Sequence, residues 1–267
     1  MTTLSHHRYS RHVLDRLVEG APAPEGPLGA PERDALSARL AAVPTLEKRR
    51  VDAWLIERRA IASSAFAWSP ARARRALGRG ALRRLAADAR LTPLAAVTEE
   101  VLDHLARAAT GLVGSGTLAA YLAAVDGATR ALCAAEAVTW VTQTGEAAAT
   151  LSHPWAIPPA DPYYDVAGAR TTLRGQRDLV VAAGPARVVV RVRAGAPGPS
   201  AGAGLRVDLL VDALADPIGS PAARLVGLWP EAGVALSVDG TLEDLRAGAR
   251  AVVRATVVRR RRALQGA

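Results

Sequence analysis

The first half of the chain has the apolar spacing of helices, interrupted by a Pro/Gly-rich loop at residues 20–31. Ser69-Pro70 and Thr92-Pro93 each place a capping hydroxyl before a first-turn proline, so a helix is predicted to begin at both pairs. Gly78 and Gly80 weaken the first of these helices and mark where it is expected to split. The predicted helices cover about residues 4–19, 31–43, 45–66, from 69 onward, 92–111 and 117–143.

Beyond the proline-rich segment 153–164 the pattern changes, and valine-rich runs alternate with turn residues. The order becomes helix–β–β–helix–β–β–helix, which predicts an α+β (α/β) fold. We therefore expect a helical N-terminal region over residues 1–113 and an α/β domain over residues 114–267. The predicted strands cover about residues 171–182, 186–194, 224–229 and 234–238, and the helices about 204–215 and 241–262.

The chain is basic, and arginine supplies almost all of its positive charge. The net charge is +9, and 33 of the 34 basic residues are arginine, with Lys48 as the single lysine. The planar fork of arginine suits phosphate and carboxylate, so nucleic acid is a candidate partner. A GC-rich genome, which encodes arginine in place of lysine, explains the same composition.

The charge is also unevenly distributed along the chain. Residues 1–92 carry 17 basic and 9 acidic side chains, whereas residues 93–150 carry 2 and 6. Residues 151–267 carry 15 and 10. Two basic ends flanking an acidic middle favour local binding surfaces over a uniformly basic coat.

Several classes of protein are disfavoured by composition. No apolar run approaches the ~20 residues that a membrane span requires, and the first residues have no apolar signal-like stretch. The single cysteine, Cys133, provides neither a disulfide framework nor a multi-cysteine zinc site. We expect a cytoplasmic protein without membrane association.

The segment 177–195, "RDLVVAAGPARVVVRVRAG", predicts two strands around a tight turn. Arg191 and Arg193 are two residues apart and share one strand face, with Val190 and Val192 on the other. One interpretation is therefore an ordinary hairpin with a solvated, charged face, on which Asp178 pairs with one of the arginines.

Four short segments in this half resemble the core of the PD-(D/E)XK nuclease superfamily, in its RecB-like branch. The resemblance covers about residues 117–258 and implies a restriction-endonuclease-like mixed sheet flanked by helices. It implies that Asp178 matches the metal-binding aspartate and Glu136 the helix carboxylate, while Arg191 and Arg193 replace the acid and the lysine of the acid-x-Lys motif. The segments are "RGQRDLVV" (174–181), "VVVRVRAG" (188–195), "LRVDLLVDALA" (205–215) and "ARLVGLWPEAG" (223–233).

These two replacements predict a degenerate site. Arginine supplies no oxygen ligand to a divalent ion, and it stays protonated and so cannot act as a base. We therefore predict a non-catalytic DNA-binding protein that needs no cofactor, with Arg191 and Arg193 directed toward phosphate. The first alternative is an active nuclease that uses Mg²⁺ or Mn²⁺ with migrated ligands such as Glu136, Asp178 and Asp165.

A second basic feature lies in the helix that begins at Ser69. Four arginines fall on one stripe of this helix, roughly opposite an apolar face, which suits a helix lying along a phosphate backbone. An amphipathic surface helix in an arginine-rich protein explains the pattern equally well. The stripe consists of Arg72, Arg75, Arg79 and Arg83, and the apolar face of Leu77, Ala81 and Leu85.

Two further features complete the prediction. Asp208 and Asp212 share a helix face and are expected to be solvated, because neighbouring leucines place the core elsewhere on that helix. Arg259–Arg262 are expected to end a helix whose dipole favours basic residues there.

The second functional alternative is a scaffold or subunit that binds another protein through the Trp-bearing helical half.

Overall fold

The computed structural model describes residues 4–8, 10, 12–42, 49–53, 56, 67–216 and 221–265. For residues 49, 50, 52 and 258–265 the backbone alone is described. The chain divides into two compact units, one formed by Met1–Ala62 with Thr150–Ala267 and the other by Ser63–Ala149. Each unit is described separately below.

The described helices are α1 (Val13–Glu19), α2 (Ala30–Ala41), α3 (Pro70–Ala87), α4 (Pro93–Ala109), α5 (Leu118–Ala124), α6 (Gly127–Ala148), α7 (Ala201–Ala215) and α8 (Leu242–Gln265). The described strands are β1 (Leu4–Arg8), β2 (Arg49–Asp52), β3 (Trp155–Ala156), β4 (Tyr163–Asp165), β5 (Thr171–Arg174), β6 (Leu179–Ala183), β7 (Ala186–Val192), β8 (Arg224–Trp229) and β9 (Val234–Asp239). The fold class is α+β, as predicted.

The first unit is organised around a mixed six-stranded sheet in the order β1-β9-β8-β7-β6-β3. Within it β7 and β8 are parallel, whereas the other neighbouring strands are antiparallel. Parallel neighbours require a crossover connection, and α7 provides it between β7 and β8. A smaller sheet, in the order β2-β5-β4, belongs to the same unit.

Helix α7 lies in the core of the first unit. It packs against the six-stranded sheet, against β4 and β5, and against α8. Twelve of its residues are buried, including Leu205, Leu209 and Leu210. A helix covered on several sides in this way has no wide solvent face, so its polar residues must find partners inside the protein.

The second unit contains α3, α4, α5 and α6, and α3 packs against both α4 and α6. Helix α3 runs unbroken from Pro70 to Ala87, so the expected split at Gly78 and Gly80 is wrong. A Cβ atom on Gly78 would lie 2.4 Å from Cε3 of Trp140, and one on Gly80 would lie 2.2 Å from Cδ of Glu100. The two glycines therefore allow side chains of the neighbouring helices to approach the backbone of α3.

Two sequence-predicted elements at the N-terminus are corrected by the structure. Residues 4–8 form strand β1 instead of the start of a helix, because they pair antiparallel with β9 in the register Leu4↔Val238. Residues 49–52 form β2, parallel to β5, within the helix predicted over 45–66. Most of that predicted helix, including Trp54, Leu55 and Ile61, lies outside the described residues.

The unit boundaries also differ from the predicted division after residue 113. Strand β1 and helices α1 and α2 belong to the unit that contains the main sheet, whereas α5 and α6 belong with α3 and α4. The predicted strand over 171–182 is two strands, β5 and β6, separated by residues 175–178. Strand pairing between distant segments decides this organisation, and the local pattern does not reveal it.

The pairing of β1 predicts that acid weakens the fold through His7. Its Nε2 lies 3.3 Å from Oγ of Ser237, and burial together with the nearby Arg224 lowers the pKa of His7. The unfolded chain therefore takes up this proton at a higher pH than the folded protein, so stability falls as the pH drops below about 6.5. Denaturant titrations between pH 7.5 and pH 5.5 should show a smaller loss for His7→Gln than for wild type. The His6→Gln control is expected to lose as much stability as wild type over this pH range. If His7→Gln also loses as much stability as wild type, the prediction is wrong.

Candidate functional site

The site to which the nuclease resemblance points lies at the β6–β7 hairpin of the first unit. Asp178 precedes β6, and its backbone N–H donates to the carbonyl of Val190 at 2.9 Å. Its Oδ2 accepts a hydrogen bond of 2.8 Å from the backbone N–H of Val192. Asp178 is fully buried. Through the hydrogen bond to Val192, its carboxylate connects the residue before β6 to the end of β7.

Arg191 does not lie on a solvated face, so that expectation is wrong. Its side chain is 0% exposed and forms an ion pair with Asp208 of α7, which is 1% exposed. Five consecutive residues of β7, from Val188 to Val192, are buried, because α7 covers one face of the sheet and the other face is also covered. A strand buried on both faces does not alternate between wet and dry positions.

Gln176 connects the two arginines of the hairpin. Its side-chain Oε1 accepts hydrogen bonds from Arg191 Nη2 at 3.3 Å and from Arg193 Nη1 at 2.9 Å. Its backbone N–H donates to Oδ1 of Asp208 at 2.8 Å. Arg193 is half-buried, so its guanidinium reaches the surface only in part. Arg191 and Arg193 thus donate hydrogen bonds to the same side-chain amide oxygen, that of Gln176.

Asp212 lies one turn beyond Asp208 on α7 and is also buried, with 2% of its surface exposed. Arg187 donates to it through both terminal nitrogens, at 3.0 Å to Oδ1 and 2.7 Å to Oδ2. Arg177 adds a third hydrogen bond to Oδ1 at 3.3 Å. The two acids share a helix face as predicted, but the prediction that this face is solvated is wrong.

We call this group the hairpin cluster. Bidentate arginine–carboxylate contacts and hydrogen bonds to a buried carboxylate are among the strongest polar interactions in proteins. In this cluster the guanidinium groups carry the charge that compensates the carboxylates of α7, and arginine retains its proton at physiological pH. The cluster comprises Gln176, Arg177, Asp178, Arg187, Arg191, Arg193, Asp208 and Asp212.

The other two predicted metal ligands each contact a residue of their own unit. Glu136 is in α6 of the second unit, where it forms an ion pair with Arg74 at 3.4 Å. Asp165 is exposed in β4 of the first unit and accepts a hydrogen bond from Thr172. Within the described part of the chain, no three His, Cys, Asp or Glu side chains come together as a group that could hold a metal ion.

The predicted arginine stripe of α3 is not continuous at the surface. Arg83 is exposed and Arg72 and Arg75 are half-buried, but Arg79 is buried with 8% of its surface exposed. The expectation of an unbroken basic stripe is therefore wrong at Arg79. Packing of α3 against both α4 and α6 widens its buried arc beyond that of a helix lying on a single surface.

Acidic residues of the second unit pair with other arginines of α3. Nε of Arg84 donates to Oε2 of Glu100 at 3.1 Å, and Arg84 also contacts Asp103. His104 lies 3.3 Å from the same carboxylate. Burial raises the pKa of Glu100, but the hydrogen bonds from His104 and Arg84 outweigh it and lower that pKa overall. The acidic stretch 93–150 thus supplies counter-charges to a basic helix of its own unit.

Sequence reasoning missed Gln176, Arg177 and Arg187 and misplaced both acids of α7. The signal was present, because "LRVDLLVDALA" (205–215) is apolar on almost every side of a helix. Such a helix is buried, and its acids then require positive partners. The partners themselves lie 17 to 35 residues away along the chain, and no local pattern names them.

Within the described residues, no helix is long and apolar enough to cross a membrane. Comparison of the chain with protein-family models, with curated proteins and with solved structures gives no match. The resemblance to PD-(D/E)XK nucleases is therefore an interpretation of the sequence over about residues 117–258.

Proposed function

We propose that this protein binds nucleic acid, with DNA as the favoured form, and does not cleave it. The binding domain would be a degenerate form of the PD-(D/E)XK nuclease fold. The observation that carries the proposal is Arg191, fully buried and ion-paired with Asp208 at the position where the resemblance expects a metal-binding acid. A fixed guanidinium there repels a divalent cation and occupies the carboxylate that would otherwise attract one.

The basic composition supports the nucleic-acid part of the proposal. Internal ion pairs hold Arg74 and Arg84 in the second unit and Arg187 and Arg191 in the first. The chain nevertheless keeps a net charge of +9, so arginine remains in excess after this pairing. Because Arg191 is buried, we assign it to the stability of the hairpin and leave contact with phosphate to residues nearer the surface, among them Arg83 and Arg193.

Binding should depend strongly on salt. The affinity for a fluorescein-labelled 20-base-pair duplex is expected to fall linearly in a plot of log K against log[salt], with a slope of about −0.9 for each phosphate neutralised. Fluorescence anisotropy between 50 and 200 mM NaCl measures this slope. Undetectable binding at the lowest salt, or an affinity that stays flat across this range, would contradict the proposal.

A plasmid-nicking assay tests the non-catalytic part separately. Incubation with Mg²⁺ or Mn²⁺ is expected to leave supercoiled plasmid intact. Metal-dependent cleavage that disappears in Asp178→Ala would instead establish the alternative of an active nuclease. Asp34→Ala provides the control, because Asp34 is exposed in α2 of the same unit and lies outside the hairpin cluster.

One observation favours a second function, the binding of another protein. Large apolar side chains of the second unit are exposed, at 63% for Leu94, 59% for Leu102, 83% for Leu112 and 50% for Leu132. Leu94 and Leu102 lie eight residues apart in α4 and so fall on the same side of that helix, and an apolar patch of this kind is typical of an interaction surface. A stoichiometric protein complex that forms without nucleic acid and is lost in the double variant Leu94→Glu/Leu102→Glu would establish this function.

A further inference from the structure

The C-terminal helix α8 carries a concentration of positive charge that the hairpin does not explain. After Asp244 the helix contains seven arginines and no acidic residue up to its end at Gln265. Its two first-turn acids are Glu243 and Asp244. Asp244 is buried and accepts a hydrogen bond of 2.8 Å from Arg206, so it does not offset the charge farther along the helix.

Three of these arginines follow one another at successive helix turns. Arg246, Arg250 and Arg254 are spaced i, i+4 and i+8, so they lie along one side of α8. Arg246 and Arg254 are exposed and Arg250 is half-buried. No other described residue forms a hydrogen bond or an ion pair with any of the three guanidinium groups. We call these three residues the α8 ridge.

The ridge differs in this respect from Arg206 and Arg224 of the same unit. Nε of Arg224 donates to Asp239 at 2.6 Å, and Arg206 is held by Asp244. Those arginines compensate acids of the fold, whereas the ridge presents its charge outward. Like charges at successive turns destabilise a helix slightly, and an anionic partner on this side of α8 would relieve that repulsion.

The opposite side of α8 is already used by the fold. Leu245, Ala249 and Val252 are at most 3% exposed and belong to the core of the first unit. At Gly248 a Cβ atom would lie only 2.5 Å from the carbonyl oxygen of Arg206, so α7 and α8 approach closely. A basic helix that inserts into a lipid surface needs a free apolar face. Among the described side chains of α8 one large apolar side chain is exposed, Val257 at 37%, and a single valine does not form such a face.

We infer that the α8 ridge binds the phosphodiester backbone of nucleic acid. This inference rests on the proposed function and identifies the surface that performs it. The three arginines span about 12 Å of helix axis, and duplex DNA presents about seven phosphates over that length. Residues 245–264 contain no Asn or Gln to read base edges, so the contact is independent of sequence.

The triple variant Arg246→Gln/Arg250→Gln/Arg254→Gln tests the ridge directly. With a labelled 20-base-pair duplex at 0.1 M NaCl, we expect the affinity to fall at least about tenfold and the salt slope to shrink by between about two and three. Glutamine keeps the helix propensity close to that of arginine, and circular dichroism checks that the variant is folded. The corresponding triple lysine variant retains the charge and is expected to stay within about threefold of wild type.

The matched control is Arg8→Gln/Arg90→Gln/Arg107→Gln, which removes three exposed arginines outside α8 and lowers the net charge to +6 in the same way. This control is expected to lose less than about threefold in affinity. An equal loss in both glutamine variants would overturn the inference, since it would show an effect of net charge alone. If wild type binds DNA and the ridge variant binds equally well, the inference is wrong and the proposed function stands.

Two further outcomes separate the inference from the proposed function. If wild type binds no duplex and no single strand of any tested sequence, both are wrong. If wild type binds vesicles containing 30% phosphatidylserine through the ridge, and binds no nucleic acid, the partner is an anionic lipid surface and the inference is overturned.

Discussion

Replacing Arg191 with methionine is expected to lower the free energy of unfolding by about 3–5 kcal/mol. The substitution removes the cation that compensates Asp208, a carboxylate that is 1% exposed and remains buried on α7. An unpaired buried charge is much more costly than a lost surface ion pair, which is worth about 1 kcal/mol or less. Urea denaturation at pH 7 measures the change. Arg254→Met, at an exposed arginine, is the matched control and is expected to change stability by no more than about 0.5 kcal/mol.

A double-mutant cycle separates the ion pair from the loss of packing. Asp208→Asn keeps an oxygen that can accept the backbone N–H of Gln176 but removes the negative charge. Combined with Arg191→Met, it should cost less than the sum of the two single changes, because the double variant buries no unpaired charge. Additive losses would show that the two side chains are not energetically coupled and would refute our assignment of Arg191 to the stability of the hairpin.

Replacing Gly248 with alanine is expected to destabilise the protein by about 1–3 kcal/mol, although the same change normally stabilises a helix interior by about 1 kcal/mol. A Cβ at this position would lie 2.5 Å from the carbonyl oxygen and 2.9 Å from the carbonyl carbon of Arg206. These are backbone atoms, so α7 and α8 must separate to accommodate the methyl group. Thermal denaturation followed by circular dichroism measures the effect.

Gly145 provides the control, because it lies within α6 and a Cβ there would meet no atom within 4 Å. Gly145→Ala is therefore expected to raise the melting temperature while Gly248→Ala lowers it. The two results together distinguish crowding between helices from any general effect of removing glycine. A rise in melting temperature for both variants would contradict the close packing of α7 on α8.

The sequence predicted a hairpin at residues 177–195, and the structure confirms it as the antiparallel pair β6 and β7. The resemblance drew attention to Asp178, Arg191 and Arg193, and these residues do lie at one hairpin joined by short hydrogen bonds. It directed both arginines toward phosphate, whereas the Arg191 side chain is buried. Alternation along a strand predicts which residues share a face, but it cannot reveal whether a helix covers that face.

The arginines illustrate the same limit at the level of charge. From composition alone, Arg84, Arg191 and Arg254 are equivalent contributors to a net charge of +9. In the structure Arg84 pairs with acids of α4, Arg191 is buried against Asp208, and Arg254 is exposed. Only the last kind is available to a phosphate, so the number of arginines overstates the binding surface.

The sequence by itself determined the features that depend on neighbouring residues. Thr92 caps α4 by accepting a hydrogen bond from Ala95, and the valine-rich runs after residue 164 form strands, because propensity, capping and turn chemistry act over a few residues. These local rules were enough to establish the α+β class and the alternation of helix and strand in the second half.

Tertiary structure alone decided the features that depend on distant partners. Residues 4–8 became a strand because β9 lies 234 positions away in the pair Leu4↔Val238, and Asp208 and Asp212 became buried because the arginines of β7 reach them. The free energy of a strand edge or of a buried charge is set by the group that meets it in space. The position of the hairpin could be predicted because strands and turns depend on neighbouring residues. The ion pairs of its arginines could not be predicted, because their partners lie on a helix that is distant in the sequence.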